Sequence, residues 1–143
     1  MQTHGSFHLW VDNQVLLARI SGAWNEEESR LYFNEIKEIT KPIIDRSWAL
    51  LVYLDDWALG TPEANQAGMN MIQWISQHGL ARIAAIHNSI IVKLEIERMS
   101  KEVPSEIERR HFSDEEMAFA WLASQGYPVQ LAQLKNRQYP NSL

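Results

Sequence analysis

The sequence predicts an α/β fold in which a mostly parallel sheet carries four helices and an antiparallel hairpin opens the chain. Continuously apolar segments, typical of buried strands, alternate with longer segments of helical period. Two further apolar runs near the N-terminus are separated only by a short polar turn. The predicted order is ββαβαβαβα. Strands joined through helices pair in parallel by right-handed crossovers, so most of the sheet should be parallel.

Length and composition limit the function classes. A chain of 143 residues fits a single domain, with a core over roughly residues 5–127 and a surface extension over 128–143. A net charge of −5 argues against a nucleic-acid partner. The chain has no cysteine, which excludes thiolate metal sites and suits a reducing cytoplasm. No apolar stretch approaches the roughly 20 residues that span a bilayer.

The first third of the chain contains a hairpin and a helix. The apolar runs Phe7–Val11 and Val15–Ser21 flank Asp-Asn-Gln, whose residues tolerate turn conformations. Asn25 with Glu28 three residues later predicts a capping box and a helix start. Pro42 should kink or end that helix.

The middle of the chain predicts two buried strands around a helix. Trp48–Leu54 is continuously apolar, as in a central strand, and Leu80–Ile86 is similar. Thr61 as the N-cap and Pro62 at the first helical position start the intervening helix, which Gly79 ends. We expect the two strands to be adjacent and parallel, with residues 63–78 helical.

The segment over residues 90–103 fits two patterns. Apolar and charged residues alternate over part of it, as in a strand, whereas Val92, Ile96, Met99 and Val103 form one helical stripe. Its Lys, Leu, Glu and Met residues favour a helix, which Pro104 should stop.

The last predicted elements are a strand and a helix. Glu108–Phe112 resembles a short edge strand. Ser113 with Glu116 three residues later predicts a capping box for a helix that Gly126 closes.

Candidate site residues follow the two central strands. Asp55, Asp56 and Trp57 come after the first and His87 after the second, and the carboxyl ends of parallel strands share one edge of a sheet. The two carboxylates suit an acid/base pair or a cation site, although strand ends are often simply acidic and solvated. Thr61 suits either helix capping or phosphate binding, and capping is favoured.

Aromatic and histidine residues add less specific indications. Trp57 lies in a predicted loop, where it would serve as a binding anchor or fold back onto helix residues such as Met69. The five histidines match no zinc spacing. We therefore predict no metal site and no cofactor. A contact between His87 and an aspartate at the shared sheet edge is the remaining hypothesis.

Three local sequences and a closing segment carry a family resemblance. They are Ile20-Ser-Gly22 before the capped helix, the turn into Asp56, Leu80–Ile86, and the segment from Phe112 to Leu122. Over roughly residues 5–127 the chain resembles the SpoIIAA-like family of the STAS fold, relatives of the anti-sigma-factor antagonists.

The resemblance implies a binding role without phosphoswitching. Phospho-regulated STAS proteins carry an Asp-Ser-Ser-Gly-like motif after the central strand. The corresponding stretch here, Asp55–Glu63, lacks the serine, and Thr61 is its only hydroxyl. The SpoIIAA-like branch implies instead an apolar ligand or a contact with a membrane.

The predicted function is non-catalytic binding of a protein partner or a small apolar ligand at the edge formed by residues 55–61 and 87–91. One alternative is a lipid or membrane-associated carrier whose helix 90–103 gates a cavity through Val92, Ile96 and Met99. A second alternative is a hydrolase-like enzyme using Asp55, Asp56 and His87. A peripheral membrane contact and a homodimer both stay open.

Overall fold

The computed structural model describes residues 5–130, which form one five-stranded sheet and four helices. In chain order the elements are β1 (Ser6–Asp12), β2 (Val15–Trp24), α1 (Glu26–Ile39), β3 (Trp48–Gly60), α2 (Pro62–Ser76), β4 (Leu80–Ile86), α3 (Ile90–Met99), β5 (Glu108–Phe112) and α4 (Glu115–Ser124). The strand order in the sheet is β1-β2-β3-β4-β5. Only β1 and β2 pair antiparallel, so the predicted α/β class and element order are confirmed.

The predicted central pair of strands is also confirmed. β3 and β4 are adjacent and parallel, with Trp48 opposite Leu80 and Tyr53 opposite Ile86. All seven residues from Trp48 to Leu54 are buried, because helices cover both faces of the sheet. That double burial explains the continuously apolar sequence of β3.

The core has two parts, one on each face of the sheet. Alternate residues of the strands point to opposite faces, so Leu50 and Val52 pack towards α1 and α2, while Leu51 and Tyr53 pack towards α4. The cluster on the α1–α2 side also receives Val92 of α3. The other cluster is closed by α4.

Side-chain caps hold the helix starts, with one correction. The capping box of Asn25 and Glu28 and the Thr61 cap of α2 both form as predicted. The expected Ser113 cap is wrong: Asp114 is the N-cap of α4, and its Oδ1 accepts a hydrogen bond from the Met117 amide at 2.8 Å. The cap therefore lies one residue later than predicted. Its carboxylate is favoured there because the N-terminus of a helix is its positive end.

Two helices end earlier than their apolar patterns suggested. α1 ends at Ile39. Its C-cap, Thr40, lies two residues before Pro42. α3 ends at Met99 rather than at Val103, because Ser100 leaves the helical conformation and caps it. Pro104 therefore follows a turn and does not stop the helix.

β3 is longer than predicted. It continues through residues 55–60, which pair with the end of β2 from Ser21 to Trp24. Each of two register shifts inserts one extra residue in β3, and Leu59 at the second has a φ of +69°. The expected acidic and aromatic loop is thus a bulged strand extension.

Only part of the C-terminal extension is described. Val129 is buried against the α4 side of the sheet, and the backbone N–H of Gln130 donates to Asp12 Oδ1 at 2.9 Å. The rest of the predicted extension, residues 131–143, and His4 lie outside the described residues. Over residues 5–130, no helix combines the length and the apolar character that crossing a bilayer requires.

Candidate functional site

An apolar cavity lies between the sheet and the helix pair α2–α3. Its volume is about 90 Å³, and its walls are largely hydrocarbon. β3 and β4 form the floor with residues such as Leu50, Val52 and Ala85, while Ile96 and Met99 of α3 and Met71 of α2 line the opposite side. We call this space the apolar cavity.

Trp57 reaches the cavity because of a bulge. Leu54 and Trp57 both pack against the α1–α2 core cluster although they are three residues apart, which the extra residue at the first register shift allows. The Trp57 side chain lines the cavity, and its indole Nε1 is buried without a hydrogen-bond partner among the described residues. Trp57 thus packs on the cluster that contains Ala64 and Met71 of α2, whereas Met69 lines a separate groove.

Few polar groups line the cavity. The Tyr32 phenol is neutral at physiological pH, and burial raises its pKa further above the ordinary value. Asn65 of α2 lies at the margin, where its amide donates to Glu95 Oε2 of α3 at 2.7 Å. The cavity is therefore a mostly hydrocarbon space, and the Trp57 side chain in its wall carries a buried N–H without a partner among the described residues.

Gly68 allows α3 to approach α2. A Cβ atom at this position would lie 2.7 Å from the terminal methyl of Met99. Met99 is a flexible side chain that adapts to the shape of its surroundings. Gly68 and Met99 both line the cavity, so this contact forms part of its wall.

The outer face of α3 is unusually apolar. Ile90, Ile91 and Leu94 are 69%, 62% and 63% exposed, whereas Val92 and Met99 are the helix residues that are buried. α3 therefore exposes more large apolar side chains than it buries. Few buried contacts are typical of an element with low local stability.

The predicted acidic residues do not form a site of their own. Asp55 and Asp56 are exposed and lie within β3, not in a loop. Thr61 Oγ1 accepts the Ala64 amide at 3.1 Å and thus acts as the α2 cap. Asp56 and Thr61 are absent from the cavity lining.

His87 is buried and belongs to a chain of hydrogen bonds. Its Nδ1 accepts the Ser89 backbone N–H at 3.2 Å, and its Nε2 lies 2.8 Å from His111 Nδ1. His111 Nε2 lies 2.8 Å from Glu97 Oε2, and Arg109 donates to Glu97 Oε1 at 3.0 Å. We call the series from Ser89 through His87 and His111 to Glu97 the histidine chain.

The histidine chain has a defined direction. Ser89 N–H can only donate, so Nδ1 of His87 is unprotonated and its proton is on Nε2. His87 then donates to His111 Nδ1, which places the proton of His111 on Nε2, facing the Glu97 carboxylate. Both imidazoles are therefore neutral, and each ring is held by hydrogen bonds on both nitrogens.

Electrostatics agree with this protonation state. Burial, followed by the neighbouring His111, lowers the pKa of His87, and Lys93 adds to this effect. Asp55 and the Ser89 hydrogen bond act in the opposite direction. The hydrogen bond from His111 lowers the pKa of Glu97 despite its partial burial, with Arg109 contributing further. The expected contact between His87 and an aspartate is thus a longer-range electrostatic interaction with Asp55.

The structure divides the predicted site into two neighbouring parts. Trp57, Ile96 and Met99 meet at the apolar cavity, and Val92 packs in the same core cluster. His87 lies in the histidine chain instead. Between residues 5 and 130, no group of three or more metal-ligating side chains is clustered closely enough to hold an ion.

Sequence reasoning missed His111, Glu97 and Arg109 as partners of His87. The usable indication was positional: His87 follows β4 directly, and His111 is the next-to-last residue of β5. The parallel register places Ile86 opposite Phe112, which brings the two imidazoles to the same sheet edge. Predicting the contact required knowing that β4 and β5 are neighbours.

Comparisons with known proteins inform the fold alone. No protein-family model and no curated protein matches the chain. Among solved structures, it is similar to an uncharacterised protein of the DUF3478 family with a SpoIIAA-like fold from Shewanella loihica PV-4. The TM-score is 0.68 at 13% sequence identity, over 85% of this chain and 96% of that one. The resemblance noted in the sequence is confirmed at the level of architecture: the chain has a SpoIIAA-like fold.

Proposed function

We propose that this chain is a non-catalytic STAS-like domain that binds a small, mostly apolar molecule in the apolar cavity. The observation that carries the proposal is the cavity itself, with Trp57 Nε1 buried and without a partner at its wall. A buried donor without a partner costs roughly 1–3 kcal/mol. If the wall opens at Trp57, a ligand that supplies an acceptor to Nε1 removes that cost.

The chemistry of the walls limits the ligand. Hydrocarbon walls favour an aliphatic or aromatic body, and the Trp57 N–H favours one carbonyl, carboxyl or ether oxygen. A volume of about 90 Å³ is smaller than the roughly 150 Å³ of an engineered apolar cavity that binds benzene. An aliphatic chain of medium length therefore needs the cavity to expand.

Movement of α3 would provide that expansion. The helix buries only Val92 and Met99, and the turn that follows it ends at Pro104. We propose that α3 moves away from the sheet by hinging at both of its ends, and that the Met99 side chain adapts to the shape of the ligand. The predicted gate is therefore the helix over residues 90–99 with its following turn.

A protein partner or a membrane surface is the second candidate. The exposed Ile90, Ile91 and Leu94 favour an apolar contact through the outer face of α3. The hydrolase-like alternative has less support. His87 uses both ring nitrogens in the histidine chain, and Asp55 and Asp56 are exposed.

Titration with decanoate, a medium-chain fatty acid, tests the proposal through tryptophan fluorescence. The wild type should show a saturable change. Trp57→Phe should bind more weakly, because Phe keeps an aromatic ring but lacks the N–H donor, and Trp24, which also lines the cavity, still reports the binding. Native mass spectrometry of the freshly purified protein would show a co-purified ligand or a dimer.

A matched pair of valine variants locates the binding site. Ala85 lines the cavity, whereas its neighbour Ala84 points to the α4 side of the same strand. Ala85→Val should weaken decanoate binding, and Ala84→Val should not. Both variants add volume to a packed core, so each should lower the free energy of unfolding by about 1–3 kcal/mol. Equal binding by both variants, or no saturable change in the wild type, would reject the proposed site.

A further inference from the structure

Ser89 connects the histidine chain to α3. Its side chain is the N-cap of α3, with Oγ accepting the Val92 amide at 3.1 Å. Its backbone N–H donates to His87 Nδ1. Glu97, at the other end of the histidine chain, belongs to α3 as well. His87, which follows β4, and His111 of β5 therefore hold α3 at its N-cap and in its last turn.

The number of ring protons determines whether this arrangement can persist. Two neutral imidazoles carry two protons on four nitrogens. The 2.8 Å contact between His87 Nε2 and His111 Nδ1 has room for one proton. When the pair holds three protons, one lies between the rings and the other two lie on the outer nitrogens, His87 Nδ1 and His111 Nε2. His87 Nδ1 therefore becomes protonated, whichever ring receives the third proton.

That proton would oppose the Ser89 amide. Two N–H groups would then face each other at the position where one now donates to the other at 3.2 Å. The added positive charge would also lie beside the N-terminus of α3, which is the positive end of the helix. The Ser89 cap would have to move away, and the start of α3 with it.

We propose that the histidine chain is a pH-sensitive latch that holds α3 closed when both imidazoles are neutral and releases its N-terminus when the pair takes up one proton. The latch rests on the proposed function, because it would regulate access to the apolar cavity. Mild acidification would thus favour the open cavity.

The charges that α3 itself presents at the His87 end favour release, because Lys93 and the helix N-terminus repel a cation there. Asp55 attracts that cation more strongly than Lys93 repels it, but Asp55 belongs to β3 and does not hold α3. At the His111 end, Glu97 of α3 is already paired with Arg109 of β5. The pKa of Glu97 is lowered, so this carboxylate stays ionised when the pair takes up its proton, and the two events separate in pH.

Hydrogen exchange of the ligand-free protein tests the latch separately from ligand binding. Protection factors, corrected for intrinsic exchange, are compared between about pH 7.5 and a series of lower pH values that starts below the ordinary imidazole pKa of about 6.5, because the pKa of His87 is lowered in the folded protein. The amides of α3 should lose roughly fivefold protection relative to those of β3 and β4, the effect of one ordinary hydrogen bond. Failure of decanoate to bind would not alter this result.

His87→Asn is the decisive variant. The amide oxygen of Asn stands where Nδ1 of the imidazole does and accepts the Ser89 N–H without titrating, so α3 should keep its protection at the lower pH. His78→Asn is the matched control: it removes a histidine outside the latch, whose Nδ1 contacts the Trp74 carbonyl oxygen, and should keep the wild-type pH dependence.

Nitrogen NMR of the wild-type imidazoles tests the latch without any substitution. At the higher pH both His87 and His111 should carry their proton on Nε2. A proton on His87 Nδ1 at that pH would overturn the latch. So would equal pH dependence of α3 protection in the wild type and His87→Asn, or α3 protection that does not change with pH in the wild type.

Discussion

A single hydroxyl group holds the start of α2. Thr61 Oγ1 accepts the Ala64 amide at 3.1 Å, and Pro62 follows at the first helical position. Thr61→Ala should lower the free energy of unfolding by about 0.5–2 kcal/mol, the usual effect of losing a cap, as measured by urea denaturation. Thr61→Ser keeps the hydroxyl and should stay close to the wild type. A negligible loss in the alanine variant would reject the capping role.

Two glycines with similar backbone conformation differ in their surroundings. Gly79 has a φ of +98° and Gly126 one of +96°. A Cβ at Gly79 would lie 3.0 Å from the Arg46 carbonyl oxygen, whereas no atom of residues 5–130 lies within 4 Å of one at Gly126. Gly126→Ala should cost about 1–2 kcal/mol from the left-handed conformation alone, and Gly79→Ala clearly more. Urea denaturation of both variants measures the difference, and equal costs would contradict this account.

At the scale of an element, the start of α4 separates two candidate caps. Asp114 Oδ1 accepts the Met117 amide, and its negative charge also suits the helix N-terminus. Asp114→Ala should therefore destabilise the protein by about 0.5–2 kcal/mol. Ser113→Ala, one residue earlier, should have almost no effect. The reverse order in thermal or urea unfolding would restore the cap that the sequence suggested.

At the scale of the whole molecule, stability should fall in two steps on acidification. His87 has a lowered pKa in the folded protein, so the unfolded chain binds more protons below the ordinary imidazole value of 6.5. The associated stability is present above that value and is lost as the pH falls towards the lowered pKa. The pKa of Glu97 is also lowered, from an ordinary value of 4.5. The stability that Glu97 contributes is therefore present above that value and is lost at lower pH.

Urea midpoints measured across this pH range resolve the two steps. His87→Asn should flatten the upper step and leave the lower one. Glu97→Gln, which removes the carboxylate charge, should flatten the lower step. A wild-type midpoint that stays constant from neutral pH down to the range of carboxylate titration would show that His87 is not held neutral by the fold.

Much of this architecture follows from local sequence. Apolar runs such as Trp48–Leu54 and Leu80–Ile86 specify strands because both faces of a central strand must be buried. The caps at Asn25 and Thr61 use only neighbouring backbone groups. Element order then limits the sheet to a mostly parallel arrangement, since crossovers through helices have one preferred hand.

Only the tertiary structure decided the site. Asp55, Asp56 and Trp57 have the composition of a loop, yet pairing with the end of β2 makes them a bulged strand and turns Trp57 into the cavity. The histidine chain joins residues 87, 97 and 111, which sequence spacing alone does not relate. Local sequence determines which elements form, because their hydrogen bonds and caps are local. The site depends on strand order and register, because contacts between distant segments exist only once the sheet has assembled.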